Sequence, residues 1–220
     1  NTYVRADHQM NAANTWGLRW LRETSPQPVQ INAENHTVAR YEAETDVDWT
    51  LVGNLSSIFG SNKVNTFRVS AVKEDVFFGN PRFNAGEDQR TLPATLNHLS
   101  FSDQQSPRAN RRLDIAYGAD NIFAWFLPNR WGGDHDLKIG TSYMYSSLRS
   151  QDFGNLNGTF TVPSDLSFNP ADPRTYPERL SIRVGNPLDF YMKGHFIGGF
   201  VQDKWRPSNR LTISVGARYD

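Results

Sequence analysis

The fold is decided by residues 39–51, which read ARYEAETDVDWTL. Small, apolar and aromatic residues alternate here with charged ones. Successive side chains of a β-strand point to opposite faces, so this alternation predicts one long strand within residues 38–55. Its charged face carries Arg40, Glu42, Glu44, Asp46 and Asp48, and these side chains need water or a polar lumen. The other face needs either lipid or a second protein layer, and the strand alone allows both.

Seven further strand-like stretches accompany this one, and the links between them are of two kinds. Strands are predicted at residues 2–10, 14–24, 38–55, 63–77, 112–127, 134–150, 189–205 and 210–220. Short links fall at 11–13, 56–62, 128–133 and 206–209, and long polar links at 25–37, 78–111 and 151–188. In an up-and-down sheet every second link lies at the same end, so long and short links are sorted to opposite ends. This is typical of outer-membrane barrels and predicts an all-β fold, an antiparallel up-and-down transmembrane β-barrel segment.

The composition excludes several classes of protein. The 23 basic residues balance 23 acidic ones, so no general attraction to nucleic acid is expected. The mean hydropathy is −0.60 and no apolar run approaches the roughly 18 residues of a helical membrane span. Barrel strands give only a weak hydropathy signal, so a membrane barrel stays allowed. The absence of cysteine removes disulfides, a cysteine nucleophile and thiolate metal sites.

No arrangement of residues in the sequence points to catalysis, a metal or another cofactor. The five histidines lack the spacing of metal ligands, and Asp134-His135-Asp136 is interpreted as a solvated turn. Carboxylates on one strand face point in parallel and do not wrap around an ion. The sequence has no nucleophile elbow, phosphate loop or dinucleotide fingerprint. We therefore expect a protein that is not an enzyme and has no cofactor.

Aromatic residues near the strand ends suit the girdles of a membrane barrel, although aromatics are common in all β-sheets. They are Tyr41, Trp49, Trp125, Trp131, Trp205 and Tyr219. The long loops are polar and rich in proline, and loops of this length are usually functional. Within them, residues 159–162 and 180–184 are predicted to be short strands that extend a hairpin above the membrane.

The end of the chain carries a pattern known from one family. Residues 199–205 read GFVQDKW, and residues 211–220 read LTISVGARYD. Together they resemble the hairpin G-aromatic-x-Q-D-x-W … L-T-x-x-x-G-x-R-Y-D of TonB-dependent outer-membrane receptors. The matching positions are Gly199, Phe200, Gln202, Asp203, Trp205, Leu211, Gly216, Arg218, Tyr219 and Asp220. Residues 135–140, HDLKIG, resemble the family's H-x-L-K-x-G strand start, and the remainder is similar in style to the large Oar-like receptors with an N-terminal carboxypeptidase-regulatory-like domain.

The resemblance implies a 22-stranded barrel filled by a plug, of which residues 1–220 are a middle slice of about eight strands. The plug domain of the same full-length chain and the N-terminal part that contacts TonB are expected outside this sequence. The charged face of the 38–55 strand is expected to face the lumen, and the opposite face to contact outer-membrane lipid. The implied function is TonB-dependent uptake of a siderophore, vitamin or glycan, captured by the outer loops.

One alternative stays open on the sequence alone. In a soluble secreted β-domain the apolar strand faces would pack against each other in a dry core, and loop aromatics would bind carbohydrate. Those aromatics are Phe83, Phe153, Phe168 and Tyr176. The two interpretations differ in what covers the apolar strand face, which is lipid in one and protein in the other.

Overall fold

The chain folds as a long antiparallel meander with an ordered lobe at one end. The structure is a computed structural model that describes residues 1–30 and 37–220. Its strands are β1 (Thr2–Asn11), β2 (Asn14–Thr24), β3 (Gln27–Gln30), β4 (Glu42–Phe59), β5 (Lys63–Gly79), β6 (Thr95–Asn97), β7 (Ser102–Asp103), β8 (Ala109–Arg130), β9 (Gly133–Asp152), β10 (Thr159–Thr161), β11 (Arg179–Ser181), β12 (Leu188–Ser208) and β13 (Leu211–Tyr219). A one-turn α-helix covers Pro81–Asn84, and 3₁₀ turns cover Val38–Arg40, Gln89–Thr91 and Pro173–Thr175. None of the helical turns described is long and apolar enough to cross a membrane.

The eight long strands form one sheet in the order β1-β2-β4-β5-β8-β9-β12-β13, and β3 pairs with β4 at its side. Every neighbouring pair is antiparallel and the spatial order follows the chain. The predicted antiparallel, up-and-down fold is therefore confirmed. β1 and β13 lie at the two edges, so over the described residues the sheet is open. Part of the predicted link 25–37, including His36, lies outside the described residues.

The strand that contains the deciding stretch lies further along the chain than predicted. β4 begins at Glu42 and ends at Phe59, whereas the alternation predicted 38–55. Residues Val38–Arg40 form a 3₁₀ turn instead, so the placement of Arg40 on the charged strand face was wrong. The cause is a tertiary contact, because the backbone N–H of Thr37 donates to the carbonyl of Ser102 at 2.9 Å and draws this segment away from the sheet.

The links at the other end are tighter than predicted. The link expected at 128–133 shrinks to Trp131 and Gly132, whose φ angles of 48° and 82° fit a two-residue hairpin turn. Pro128 lies inside β8 at a register shift between Leu127 and Arg130. Such a bulge accommodates a residue without an N–H, so the proline does not end the strand. The link expected at 56–62 likewise shortens to residues 60–62.

The two faces of the sheet differ in chemistry at mid-height. One row of facing positions reads Asp7, Gly17, Asn54, Arg68, Asp120, Ser142 and Gly198. The adjacent row, on the opposite face, reads Ala6, Leu18, Gly53, Val69, Ala119, Tyr143 and Ile197. We call these the polar face and the apolar face. Within the described chain no second layer covers either of them, which is the arrangement of a barrel wall between a lumen and lipid.

A second, smaller sheet joins the two longest loops. Its order is β11-β10-β6-β7, and β6 from one loop runs parallel to β10 from the other. The short strands predicted at 159–162 and 180–184 do exist and pair with each other, as β10 and β11. They are shorter than predicted, and they join the other loop rather than extend a membrane hairpin. We call residues 80–108 and 153–187 together the loop lobe, its side of the sheet the loop end, and the opposite side the turn end.

Candidate functional site

A buried hydrogen-bond network fixes the shape of the loop lobe. Gln89 is fully buried and donates through Nε2 to the carbonyl of Ser106 at 3.2 Å and to Oδ1 of Asn157 at 3.1 Å. Asn157 in turn donates to the carbonyl of Pro93 at 2.9 Å. The buried apolar residues around this network are Leu92, Leu156 and Val162. Buried polar groups that bond one another favour a single arrangement, so the two loops form a preorganised surface.

The lobe is fastened to the sheet through Glu42, the first residue of β4. Its carboxylate is buried and accepts a hydrogen bond from Ser106 Oγ at 2.8 Å. Arg108 donates to the second carboxylate oxygen at 3.3 Å. Charge-assisted bonds of this kind are stronger than neutral ones. Of the charged residues predicted to face the lumen, Glu42 is therefore bonded into the lobe, while Glu44, Asp46 and Asp48 continue along the polar face of β4.

We expect Gln89→Leu to loosen the lobe without unfolding the sheet. Leucine keeps the volume but removes the donor to Asn157 Oδ1, and leaves the carbonyl of Ser106 with the bond from Asn80 at 3.3 Å alone. A buried acceptor without its donor costs about 1–3 kcal/mol. If opening of the lobe exposes residues 80–108 to protease, cleavage becomes roughly 5- to 100-fold faster, because cleavage follows the open population. Gln9→Leu, at an exposed position on β1, is the matched control and should not change the rate. Equal cleavage of both variants and the parent would show that the network does not hold the lobe together.

Carboxylates from four strands meet in one row on the polar face, close to the loop end. The register places Glu23, Asp48, Glu74 and Asp114 side by side on β2, β4, β5 and β8. Arg112 bonds Glu74 at 2.6 Å and Asp114 at 2.9 Å. No group of three metal-ligating side chains in the described ranges could hold an ion. With Arg112 as their partner, the four carboxylates leave an excess of negative charge at this height of the polar face.

The four loop aromatics fall into two pairs with different roles. Phe83 and Phe153 contact each other with ring centroids 4.9 Å apart, and Phe83 also stacks on Phe77 of β5 at 5.9 Å. This pair holds the Pro81–Asn84 turn on the sheet. Phe168 and Tyr176 form the other pair, 5.9 Å apart, and both are exposed. Only the second pair offers a surface to a ligand.

The exposed pair is held by its own short loop. Tyr176 donates from its hydroxyl to the carbonyl of Pro170 at 2.6 Å. Thr175, which is buried, donates to the carbonyl of Asp172 at 2.8 Å and accepts from the backbone N–H of Asn169 at 2.9 Å. Local bonds of this kind limit the conformations of an exposed loop. The aromatic pair therefore has a defined position on the lobe.

An acidic group links the tips of the two loops. Asp165 accepts from the backbone N–H and the hydroxyl of Ser100, at 2.8 and 2.7 Å. These two bonds hold the pKa of the Asp165 carboxyl below its ordinary value, and the bond from the Ser100 hydroxyl has the larger effect. Because this pKa is lower in the folded protein, the stabilisation from the link is fully present above about pH 3.9, the pKa of an aspartate in the unfolded chain. It is lost as the pH falls through the pKa of Asp165 in the folded protein. At neutral pH the link is intact.

The two motif segments singled out in the sequence meet near the turn end of β9 and β12. His135 bonds Asp203 at 2.6 Å through Nδ1 and stacks on Trp205 with ring centroids 5.9 Å apart. On the opposite face the ring of Phe200 occupies the space that a Cβ at Gly140 would need. The interpretation of His135 as part of a solvated turn was therefore wrong, because its side chain is buried in this cluster.

The other motif positions follow the same hairpin. Gln202, Gly216 and Arg218 share the polar face with Phe200, and Gly199, Leu211 and Tyr219 share the apolar face with Asp203 and Trp205. Asp220 follows β13 and bonds Arg218 at 2.5 Å. The pattern therefore combines register, ring packing and ion pairs in one hairpin. These are contacts that hold the strands together.

A tyrosine cluster on the apolar face was missed in the sequence. Tyr117 stacks on Tyr145 with ring centroids 6.2 Å apart, and the ring centroids of Tyr145 and His195 are 5.1 Å apart. The hydroxyl of Tyr143 forms a hydrogen bond with Nδ1 of His195 at 2.9 Å.

The aromatic residues that were predicted to form girdles are spread more widely over the sheet. Trp49, Trp125, Trp205 and Tyr219 lie on the apolar face, Tyr41 precedes β4 and Trp131 is in a turn. For the tyrosine cluster, the sequence signal was the alternation of Tyr143 and Tyr145, which places both rings on the same face of β9.

Comparisons with known proteins agree with this architecture. The family described as "Outer membrane beta barrel domain" matches residues 1–220. Among solved structures, the chain is similar to the outer membrane transporter YddB from Escherichia coli, with a TM-score of 0.66 and 9% sequence identity. The similarity covers 99% of this chain and 26% of that one, so the chain spans about a quarter of the transporter's length. No curated protein matches it. At this identity the likeness shows the fold alone.

Proposed function

Because the chain belongs to the outer membrane β-barrel domain family, we propose that residues 1–220 are part of the wall of a receptor that takes up a scarce nutrient with energy from TonB. The family is one of the bacterial outer membrane, so the apolar face contacts lipid and the polar face lines a lumen. In this proposal further strands continue from β1 and β13 and complete a wider barrel of 22 strands. The role is transport, without catalysis or a cofactor.

The loop lobe is the observation that carries the proposal. Two long loops are fixed to each other through Gln89 and to the barrel wall through Glu42. A solute that arrives from outside the cell first contacts the long extracellular loops of such a barrel. A preorganised surface binds a ligand at lower entropic cost than a mobile loop does, so it suits the capture of a nutrient at low concentration.

Two partners follow from the proposal. The lumen of a wide barrel is filled by a plug domain of the same full-length chain, and the N-terminal part of that chain contacts TonB. The resemblance of residues 199–220 to the hairpin of TonB-dependent receptors supports this. The acid row of Glu23, Asp48, Glu74 and Asp114 faces the lumen and favours a neutral or cationic ligand over an anionic one.

The soluble secreted alternative is not retained, since the matching family is an outer-membrane one. A glycan remains one of the three ligand classes, beside a siderophore and a vitamin. The exposed pair Phe168 and Tyr176 favours it, because sugars stack on aromatic rings presented by a fixed loop. Phe83 and Phe153 do not take part, as their rings pack against each other and against β5.

Uptake by the full-length protein tests the proposal. Radiolabelled ferric siderophore, cyanocobalamin and an oligosaccharide are offered separately to cells that lack their own receptors and express this one. We expect one of the three to accumulate in cells with TonB and not in otherwise identical cells without it. Accumulation that is equal in both strains, or no accumulation of any of the three, would contradict TonB-dependent uptake.

A further inference from the structure

The apolar face carries a belt of cations at its loop end. The belt consists of Arg22, Lys73, Arg111, Arg149 and Lys193, with the carboxylates Asp75 and Asp189 between them. The register places Arg22, Lys73 and Lys193 in one row across the sheet, and Arg111 and Arg149 lie further towards the loop end. We call these residues the cationic belt. Five cations face only two carboxylates, so the belt has an excess of positive charge.

The sign of the charge changes from one face of the sheet to the other at the same height. Arg22 is followed by Glu23, and Lys73 is followed by Glu74. Successive side chains of a strand point to opposite faces, so each cation of these pairs faces outwards and each carboxylate faces the lumen. At this height the polar face carries four carboxylates and the cation Arg112, whereas the apolar face carries five cations and two carboxylates. Exposed charges that only served solubility would have no reason to be divided so unequally between the faces. The segregation indicates an anionic partner outside the barrel.

The two carboxylates hold parts of the belt in a defined geometry. Asp75 accepts two bonds from Arg111, both 3.1 Å, and lies 3.3 Å from the amine of Lys73. Asp189 accepts from Arg149 Nε at 3.0 Å and from Gln151 at 3.1 Å. Guanidinium groups oriented by a carboxylate keep further N–H donors for a second anion. Arg22 and Lys193 are exposed and have no ion pair in the described chain.

The belt lies beside the tyrosine cluster, on its loop-end side. Lys193 is two residues from His195 along β12, a rise of about 7 Å, and Arg149 is four residues from Tyr145 along β9, about 13 Å. Tyrosine rings are enriched where hydrocarbon meets the headgroups. The belt therefore lies at the depth of the headgroups in the outer leaflet.

We propose that the cationic belt binds the phosphate groups of a phosphorylated glycolipid in the outer leaflet. Arginine and lysine are the side chains that bind phosphate, by charge-assisted hydrogen bonds and as point charges. Near an anionic membrane surface each cation contributes roughly a fivefold gain in affinity. The site rests on the outer-membrane location of the chain and not on the proposed uptake, so it can fail or hold independently of that function.

The test measures binding of bis-phosphorylated lipid A to the purified full-length protein in detergent, beside the same lipid after removal of its phosphates. The variant R22Q/K73Q/K193Q removes three belt cations and leaves both arginine–aspartate pairs intact. The control R19Q/R68Q/K138Q removes three cations from the polar face. We expect the belt variant to bind the phosphorylated lipid on the order of a hundredfold more weakly, and the control to bind it as the parent does.

Two results would overturn the proposal. One is an equal loss of binding in the belt variant and the control, which would indicate a general charge effect. The other is a parent protein that binds the phosphorylated and dephosphorylated lipids equally well. This second comparison needs no variant, so it decides the question even if R22Q/K73Q/K193Q does not fold. Binding to phosphate should also weaken as salt is raised.

Discussion

Replacing Val69 by arginine is expected to lower the free energy of unfolding of the full-length barrel in lipid by about 2–4 kcal/mol. Val69 lies on the apolar face at mid-height, between Gly53 on β4 and Ala119 on β8. Arginine there would place its charge in hydrocarbon, where it must either lose its water or bend towards the headgroups. The change in free energy is measured by unfolding the protein in vesicles with denaturant.

Val72→Arg is the matched control on the same strand. Val72 is 37% exposed and Val69 is 43% exposed, so the two positions differ in face rather than in burial. At Val72 the arginine would point into the lumen, close to Glu74, and a change at such a surface position costs less than about 1 kcal/mol. Equal costs at both positions would mean that the apolar face does not meet lipid.

Replacing Gly79 by alanine is expected to cost about 2–5 kcal/mol and to disturb the base of the loop lobe. Gly79 ends β5 with a φ of 139°, a conformation that residues with a Cβ rarely adopt. A Cβ at this position would also overlap the carbonyl of Arg108. That carbonyl accepts from the backbone N–H of Asn80 at 2.8 Å, so it is not free to move away.

Gly60→Ala separates the two parts of this cost. Gly60 also has a positive φ, 65°, but no atom lies within 4 Å of the position its Cβ would take. Only the backbone strain of about 1–2 kcal/mol applies there. Unfolding of both variants in the full-length protein gives the comparison, together with protease cleavage of residues 80–108. If Gly79→Ala costs no more than Gly60→Ala, the close approach of Arg108 plays no part in stability.

The distribution of charge connects the fold with its surroundings. The same height of the sheet presents carboxylates to the lumen, in the row that includes Asp48 and Glu74, and cations to the outside, in the belt that includes Lys73 and Lys193. A wall of one layer has a different environment on each face, and the charges of each face suit the environment that it contacts. Lipid headgroups attract cations, and a lumen lined by acids discriminates between solutes by charge.

The sequence by itself determined the eight long strands, their order and, where the alternation is clean, their faces. A period of two is a local property, so the alternation in residues 39–51 was sufficient to identify β4 and to assign Glu44, Asp46 and Asp48 to one face. The sorting of short and long links then determined the up-and-down order. The limits of β4 were shifted by about four residues, because its start depends on contacts with Ser102 that alternation does not encode.

Only the tertiary structure decided what the long loops form. Gln89 and Asn157 are 68 residues apart, and neither belongs to a periodic pattern that would indicate a partner. The parallel pairing of β6 with β10, the division of the loop aromatics into Phe83 with Phe153 and Phe168 with Tyr176, and the burial of His135 against Asp203 are likewise contacts between distant segments. Periodicity reports the environment of each side chain along one strand. Which segments meet depends on the packing of the whole chain, and the loop lobe is therefore visible only in three dimensions.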